Sequence, residues 1–261
     1  MGATKGWVMD ALESRRDEWI RARLSSPDLE DDSEEWYLLG QDYDSYQDYL
    51  AVEAQFQDEE QQWLAENPHT TIYDTAISLL KEIQGEGKAN ASEIFIKMQI
   101  AYCVTILESC LCEMIKSVVL SHERYMVNAV RNIKELKDKA IPLTDLLENK
   151  GNTADKYVQE YLSSLLYHNI TKVFEVYQAI LQPGKRISIN MGDVIKLTKL
   201  RHDIVHRNGK TVDGNDIPFK QGNLEKSIAT VRVFLGDMKK IISDAIEKHD
   251  NDKVNDMPED F

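Results

Sequence analysis

The chain has 261 residues, of which 42 % are hydrophobic and 29 % are charged, and these values are typical of a soluble globular protein. It contains only 12 Gly and 6 Pro, which favours long regular elements over many turns. Its apolar runs are shorter than the roughly 18 residues that span a bilayer, and its N-terminus is amphipathic and charged. We therefore expect a cytoplasmic protein with neither a signal peptide nor a membrane segment.

The net charge of −14 is unevenly distributed along the chain. Residues 1–68 contain 18 acidic and 5 basic side chains, and residues 244–261 contain 7 acidic and 2 basic ones. The middle of the chain, residues 69–243, therefore carries a charge of +4. Because the acidic residues are concentrated at the ends, the middle is compatible with binding a polyanion.

The sequence predicts helices almost throughout, and hence an all-α protein. Residues 1–68 form an acidic helical region that ends at Asn67, because the residue before a proline is pushed out of helical geometry. A helical domain follows at 69–248, and residues 249–261 are an acidic tail. The predicted helices span about 5–24, 33–66, 71–84, 91–121, 123–140, 153–167, 170–181, 190–207 and 223–248.

Two of these helices carry the clearest signals. The helix at 91–121 is the longest apolar-periodic stretch and should be central in the fold. The helix at 190–207 has Asn190 as its predicted N-cap, with Asp193 in the capping-box position. It should end at Asn208 and Gly209, which favour a left-handed backbone at a helix C-terminus. The residues at 212–215 indicate a turn or a small hairpin.

The three cysteines lie in the predicted central helix. Cys103, Cys110 and Cys112 are interpreted as buried thiols in a reducing compartment. Their spacing differs from that of a zinc knuckle, and no second cluster accompanies them. We therefore expect neither a metal site nor a cofactor.

The most informative segment is 200–209, Leu-Arg-His-Asp-Ile-Val-His-Arg-Asn-Gly. It combines an arginine, which can hold phosphate charge, with two histidines, which can transfer protons near neutral pH. At about 100° per residue, Arg201 falls on the apolar arc of its helix, while His202 and His206 lie about 40° apart on the polar flank. Arg201 and His206 are the candidate catalytic residues, and His202 is a supporting or solvated one.

A second charged residue lies on an apolar face, in the predicted central helix. Glu108 shares its face with Val104 and Leu111, each within roughly 60° of it. Because a buried charge is costly unless it is paired, we expect Glu108 to approach Arg201 across the core. Such a pair could fix the orientation of the arginine for catalysis, or it could serve only to hold two helices together.

Three segments together resemble a known family. Residues 200–209 resemble the Arg-x4–6-His motif of HEPN-domain ribonucleases, including a polar residue directly after the arginine. Residues 101–111 (AYCVTILESCL) look like the helix that precedes the motif in this family, whose glutamate often supports it. Residues 167–177 (YHNITKVFEVY) are similar to a middle segment of prokaryotic HEPN proteins related to the RiboL-PSP group. The segments occur in the family's order, and the resemblance covers about 90–246.

The resemblance implies a HEPN-like helical bundle that forms a homodimer, with the motifs of two copies facing each other across one active site. It implies a metal-independent endoribonuclease acting on RNA. In this chemistry a histidine activates the ribose 2′-OH, an arginine stabilises the phosphorane and a second histidine protonates the leaving 5′-oxygen. The products would carry 2′,3′-cyclic phosphate and 5′-OH ends.

The common setting of the family implies a toxin or antiviral-defence effector, which can have an antitoxin or another regulatory partner. Clustered basic side chains around the motif are the predicted contacts to the RNA backbone. They are Lys185, Arg186, Lys199, Arg207 and Lys210.

Other interpretations remain open. The acidic N-terminal region, which contains all four tryptophans, is either a solvated appendage or an element that restrains the nuclease by covering the basic cleft or docking a partner. The domain could also be a non-catalytic dimerisation or adaptor module, in which Arg201 and His206 serve only the subunit interface. A metal-dependent hydrolase is disfavoured, because no glutamate lies between His202 and His206 as it does in the metalloprotease pattern.

Overall fold

The computed structural model describes residues 3–31, 33–86, 91–141, 153–182 and 189–255. Those ranges contain ten helices and no strand beyond one isolated bridge, which confirms the predicted all-α class. The helices are α1 (Ala3–Arg21), α2 (Glu34–Glu66), α3 (His69–Glu86), α4 (Glu93–Ser121), α5 (Glu123–Asn132), α6 (Lys134–Lys137), α7 (Thr153–Ser164), α8 (Ile170–Leu181), α9 (Gly192–Arg207) and α10 (Gln221–Asn255).

The chain divides into two compact units, Met1–Trp63 and Leu64–Phe261, so the division falls near the end of α2. The first unit is built on α1 and α2. Trp19 packs edge-on against Tyr43, with their ring centroids 5.4 Å apart, and Arg16 Nε lies 3.2 Å from Asp44 Oδ1. These contacts join the first part of α2 to α1.

The second unit has one hydrophobic core, and α4 runs through it. Ile100, Leu107 and Leu111 of α4 are fully buried, and α3 and α10 pack against this helix and against each other. On another side, the buried Tyr177 hydroxyl of α8 donates a hydrogen bond of 2.5 Å to the Leu111 carbonyl. The apolar period at 91–121 therefore predicted the central helix correctly.

Two predicted helices differ from the structure by more than three residues at an end. The helix predicted at 123–140 is interrupted at Ile133, whose extended backbone (φ −87°, ψ 117°) separates α5 from α6. The interruption buries both Ile133 and Leu136 in the core, so the burial of two apolar side chains overrides the local helical pattern. The last helix continues past its predicted end at 248 and reaches Asn255.

The cysteines are structural side chains of α4. Cys103 and Cys110 are buried and Cys112 is half-buried. Burial raises the pKa of both Cys103 and Cys110 to about 12, so both stay protonated at neutral pH. In the described parts of the chain, no three His, Cys, Asp or Glu side chains are grouped so that they could hold a metal ion. None of the helices in those parts is long and apolar enough to cross a membrane.

We expect His69, at the start of α3, to make the stability of the second unit depend on pH. Its Nε2 lies 2.9 Å from Ser243 Oγ of α10, and its pKa is lowered by burial, by Lys239 and by His122. Between this lowered pKa and the ordinary value of 6.5, the unfolded chain binds more protons than the folded one. We therefore expect the free energy of unfolding to fall as the pH drops through about 6.5.

Urea unfolding at pH 7.5 and 5.5 measures this effect, with His69→Gln as the comparison. The variant should lose less stability than the wild type over the same pH interval. An equal loss in both proteins would show that His69 does not contribute to the pH dependence.

Candidate active site

Both ends of α9 follow local sequence signals. At its start, the Gly192 amide donates a hydrogen bond of 3.0 Å to Asn190 Oδ1, although the N-cap position itself is Met191. The predicted N-cap is therefore displaced by one residue. At its end, Asn208 has a φ of 54° and Gly209 a φ of 82°, which confirms the predicted left-handed C-terminus.

The two histidines of the motif lie side by side at the end of α9. His202 and His206 are both exposed, and their ring centroids are 4.6 Å apart with a tilt of 45°. They belong to successive turns of one helix face, which explains the contact. The sequence predicted their shared flank, and the structure adds that the two rings touch.

Arg201 is half-buried next to this pair. Arg201 was predicted to share an apolar arc of its helix with Val194 and Leu197. Both of these residues are buried, as that arc predicts. Val205, predicted on the same arc, is instead 51 % exposed, so the buried face of α9 does not include its last turn. Within the described ranges, the Arg201 guanidinium has no ion pair or hydrogen bond, and it remains available to an anion.

The predicted pair between Glu108 and Arg201 is not formed among the described residues. Glu108 Oε1 lies 3.9 Å from His168 Nδ1, and the Glu108 side chain is 22 % exposed. The reason for the difference is that the turn before α8 brings His168 to this part of α4. Glu108 Oε1 is itself a buried oxygen without a described hydrogen bond. Glu108 therefore connects the α4 segment to the α8 segment rather than to the motif.

The basic residues around the motif differ in how they are held. Arg207 forms an ion pair with Asp203, which lies one turn earlier on the same helix. The arginine is half-exposed and the carboxylate is mostly buried, so this pair anchors the last turn of α9. That i,i+4 spacing is a signal that could have been read from the sequence. Lys199 is exposed, and Lys210 Nζ lies 3.9 Å from Asp216 Oδ1 with both side chains largely exposed. The predicted RNA-binding residues Lys185 and Arg186 lie outside the described residues.

Lys97 of α4 is a neighbour of the motif that the sequence did not indicate. Its Nζ lies 3.4 Å from the Asn208 carbonyl oxygen and 2.9 Å from Glu93 Oε1. It also lies 5.1 Å from the centroid of the Phe219 ring. Gly209 packs directly under this lysine. The Lys97 side chain therefore covers the end of α9.

The hairpin predicted after α9 is confirmed. The Thr211 amide donates a hydrogen bond of 2.8 Å to the Asn215 carbonyl, and Lys210 pairs with Asp216 in an antiparallel bridge. Gly214 at the turn has a φ of 82°. The chain therefore turns back beside the motif directly after Gly209.

The first part of α4 exposes an apolar face. At about 100° per residue, its members fall within an arc of about 100° on one side of the helix. We call this face the α4 surface; it consists of Ile94, Phe95, Met98 and Tyr102, which are 41–69 % exposed. Lys97, which contacts the end of α9, belongs to the same turns of α4. Only its Ile94 edge borders Lys97, since these two residues are one turn apart on the helix.

A family model described as RiboL-PSP-HEPN matches residues 70–244. The match covers about two thirds of the chain, and it contains α4, α8 and α9 with all the motif residues. The comparisons with curated proteins and with solved structures give no match.

Proposed function

The chain belongs to the RiboL-PSP-HEPN family, and on this premise we propose that it is a metal-independent endoribonuclease. The observation that carries the proposal is that the exposed His206 ring lies against the His202 ring, with their centroids 4.6 Å apart, beside an Arg201 with no described anionic partner. An imidazole can move a proton at neutral pH, and a guanidinium can hold the charge of a phosphorane. Imidazole and guanidinium groups supply every step of the proposed reaction, and the second imidazole comes from another copy of the chain.

In the proposed reaction, His206 takes the proton from a ribose 2′-OH, and the 2′-oxygen forms a bond to the adjacent phosphorus. Arg201 stabilises the additional negative charge on the phosphorane. The bond from phosphorus to the 5′-oxygen then breaks, and the same histidine of a second copy protonates that oxygen. His202 holds the His206 ring in position. DNA lacks the attacking hydroxyl, so the reaction is selective for RNA.

We propose that the second copy docks on the α4 surface. This surface is apolar and exposed, whereas water disfavours a contiguous apolar face that remains uncovered. Its Ile94 edge borders Lys97, which contacts the Asn208 carbonyl, so we propose that a partner placed there reaches the end of α9. A dimer formed in this way brings the two motifs to one interface.

The dimer can be tested by placing a charge on the α4 surface. We expect Met98→Asp to convert a dimer to a monomer and to abolish RNA cleavage, because a buried unpaired carboxylate is costly. Val233→Asp in α10 is the matched control, since Val233 is 64 % exposed and Met98 is 63 % exposed. Sedimentation of both variants measures the mass. A Met98→Asp protein that remains dimeric would place the subunit contact elsewhere.

The nuclease itself is tested by incubating the purified full chain with mixed cellular RNA in EDTA. The expected products carry 2′,3′-cyclic phosphate and 5′-OH ends, which mass spectrometry identifies.

Lys199 and Lys210 are the described basic residues proposed to contact the RNA backbone, and their contribution should weaken with salt. We extend the proposal to a toxin or antiviral-defence effector, for which expression of the active chain would arrest growth.

A non-catalytic dimerisation or adaptor module is the second candidate. The α4 surface favours it, because an apolar interface needs no chemistry at the motif. This function predicts an intact dimer that leaves RNA uncut in the same assay.

A further inference from the structure

The second half of α2 carries an exposed apolar stripe. We call it the α2 stripe; it consists of Tyr49, Val52, Phe56 and Trp63, which are 40–65 % exposed. The spacings of three, seven and fourteen residues place all four side chains within an arc of about 60°. The stripe is about 21 Å long, at 1.5 Å per residue. Tyr49, Phe56 and Trp63 repeat at seven residues, as in the contact seam that one helix offers to another, and Val52 fills the seam position between the first two.

The stripe is bordered by carboxylates on both sides. α2 contains ten Asp and Glu residues and no Lys or Arg. Within about 40° of the stripe lie Glu53 and Glu60 on one edge and Asp48 on the other, and Glu59 occupies the seam position that follows Val52. In a helix pair, positions on these edges select the partner through charge. The edges of the α2 stripe therefore favour a partner with basic side chains at its own edges.

We propose that the α2 stripe is the docking site for a basic amphipathic helix of another protein. The apolar seam supplies the buried area, and the flanking carboxylates supply the preference for Lys or Arg. A second copy of α2 is a poor occupant, because it would place uniformly acidic edges opposite each other. The proposal concerns the first unit alone and does not depend on the nuclease activity.

The test uses the full chain and a fluorescent synthetic peptide of about three heptads, with Leu at the seam positions and Lys at the edges. Anisotropy should show binding that weakens with salt. Phe56→Ser should weaken binding about tenfold or more, since a buried aromatic side chain is lost from the seam. Tyr49→Ser is a second variant with the same expected direction.

The matched control is Tyr37→Ser, because Tyr37 is as exposed as Phe56, at 65 %, but lies about 100° away around the helix. This variant should bind the peptide like the wild type. A scrambled peptide of the same composition should bind far more weakly. The proposal is overturned if the scrambled peptide binds equally well or if both stripe variants bind normally. It is also overturned if sedimentation shows the wild type self-associating in a way that Phe56→Ser abolishes.

Discussion

Arg201→Ala is expected to lower the rate of RNA cleavage by about a hundred- to a thousandfold, since it removes the group that stabilises the phosphorane. His206→Ala is expected to lower the rate by about a hundred- to ten-thousandfold, because it removes the acid–base group of both copies. His202→Ala should have a smaller effect, because His202 holds the His206 ring, 4.6 Å away, without itself transferring a proton. Gel-based assays in EDTA measure all three rates.

Lys199→Ala is the matched control on the same helix. Lys199 is exposed and is proposed only to contact the RNA backbone, so its loss should weaken binding modestly and reduce the salt dependence. Circular dichroism and sedimentation should show that each variant keeps its fold and its dimer. If His206→Ala still cut RNA at the wild-type rate, the adaptor function would become the better explanation. Arrest of growth by the wild type and not by Arg201→Ala would support the effector role.

The features of this fold that the sequence predicted correctly depend on residues that are close together in the sequence. The left-handed turn at Asn208 and Gly209 follows from two residue types that tolerate positive φ. The central position of α4 follows from its long apolar period. In both cases the information lies within one element, so no knowledge of packing is needed.

The partners of charged side chains could not be predicted in the same way. The helical pattern correctly placed Glu108 on an apolar face, but the face does not specify which residue arrives there. The turn before α8 brings His168 Nδ1 to within 3.9 Å of Glu108 Oε1. This contact depends on how that turn packs against α4. Lys97 was missed for the same reason, since its contact at Asn208 joins residues 111 positions apart.

The α4 surface shows a related limit of periodicity. An apolar helix is predicted to be buried, yet Ile94 and Met98 are exposed because no described helix covers that side of the first turns. Which faces remain uncovered depends on the arrangement of the other helices. An uncovered apolar face is thus a property that only the packed structure reveals.

Gly209→Ala is expected to destabilise the protein by about 2–3 kcal/mol, which combines backbone strain with close packing. Gly209 has a φ of 82°, and a Cβ there would lie 2.7 Å from Lys97 Cε and 3.0 Å from Phe219 Cε2. The lysine end can move aside, but it then leaves the Asn208 carbonyl. The Phe219 ring is buried and can yield only by disturbing the core. The end of α9 should shift, and RNA cleavage should fall with it.

Gly214→Ala separates the two contributions, because Gly214 has the same φ of 82° and no atom within 4 Å of the added Cβ. Gly214→Ala should lower the free energy of unfolding only through backbone strain, by about 1 kcal/mol. It should leave RNA cleavage unchanged. Urea unfolding measures both variants. Lys97→Ala combined with Gly209→Ala should recover part of the lost stability, since it removes one of the two contacts. Equal destabilisation by the two glycine substitutions would contradict the packing of Lys97 and Phe219 over Gly209.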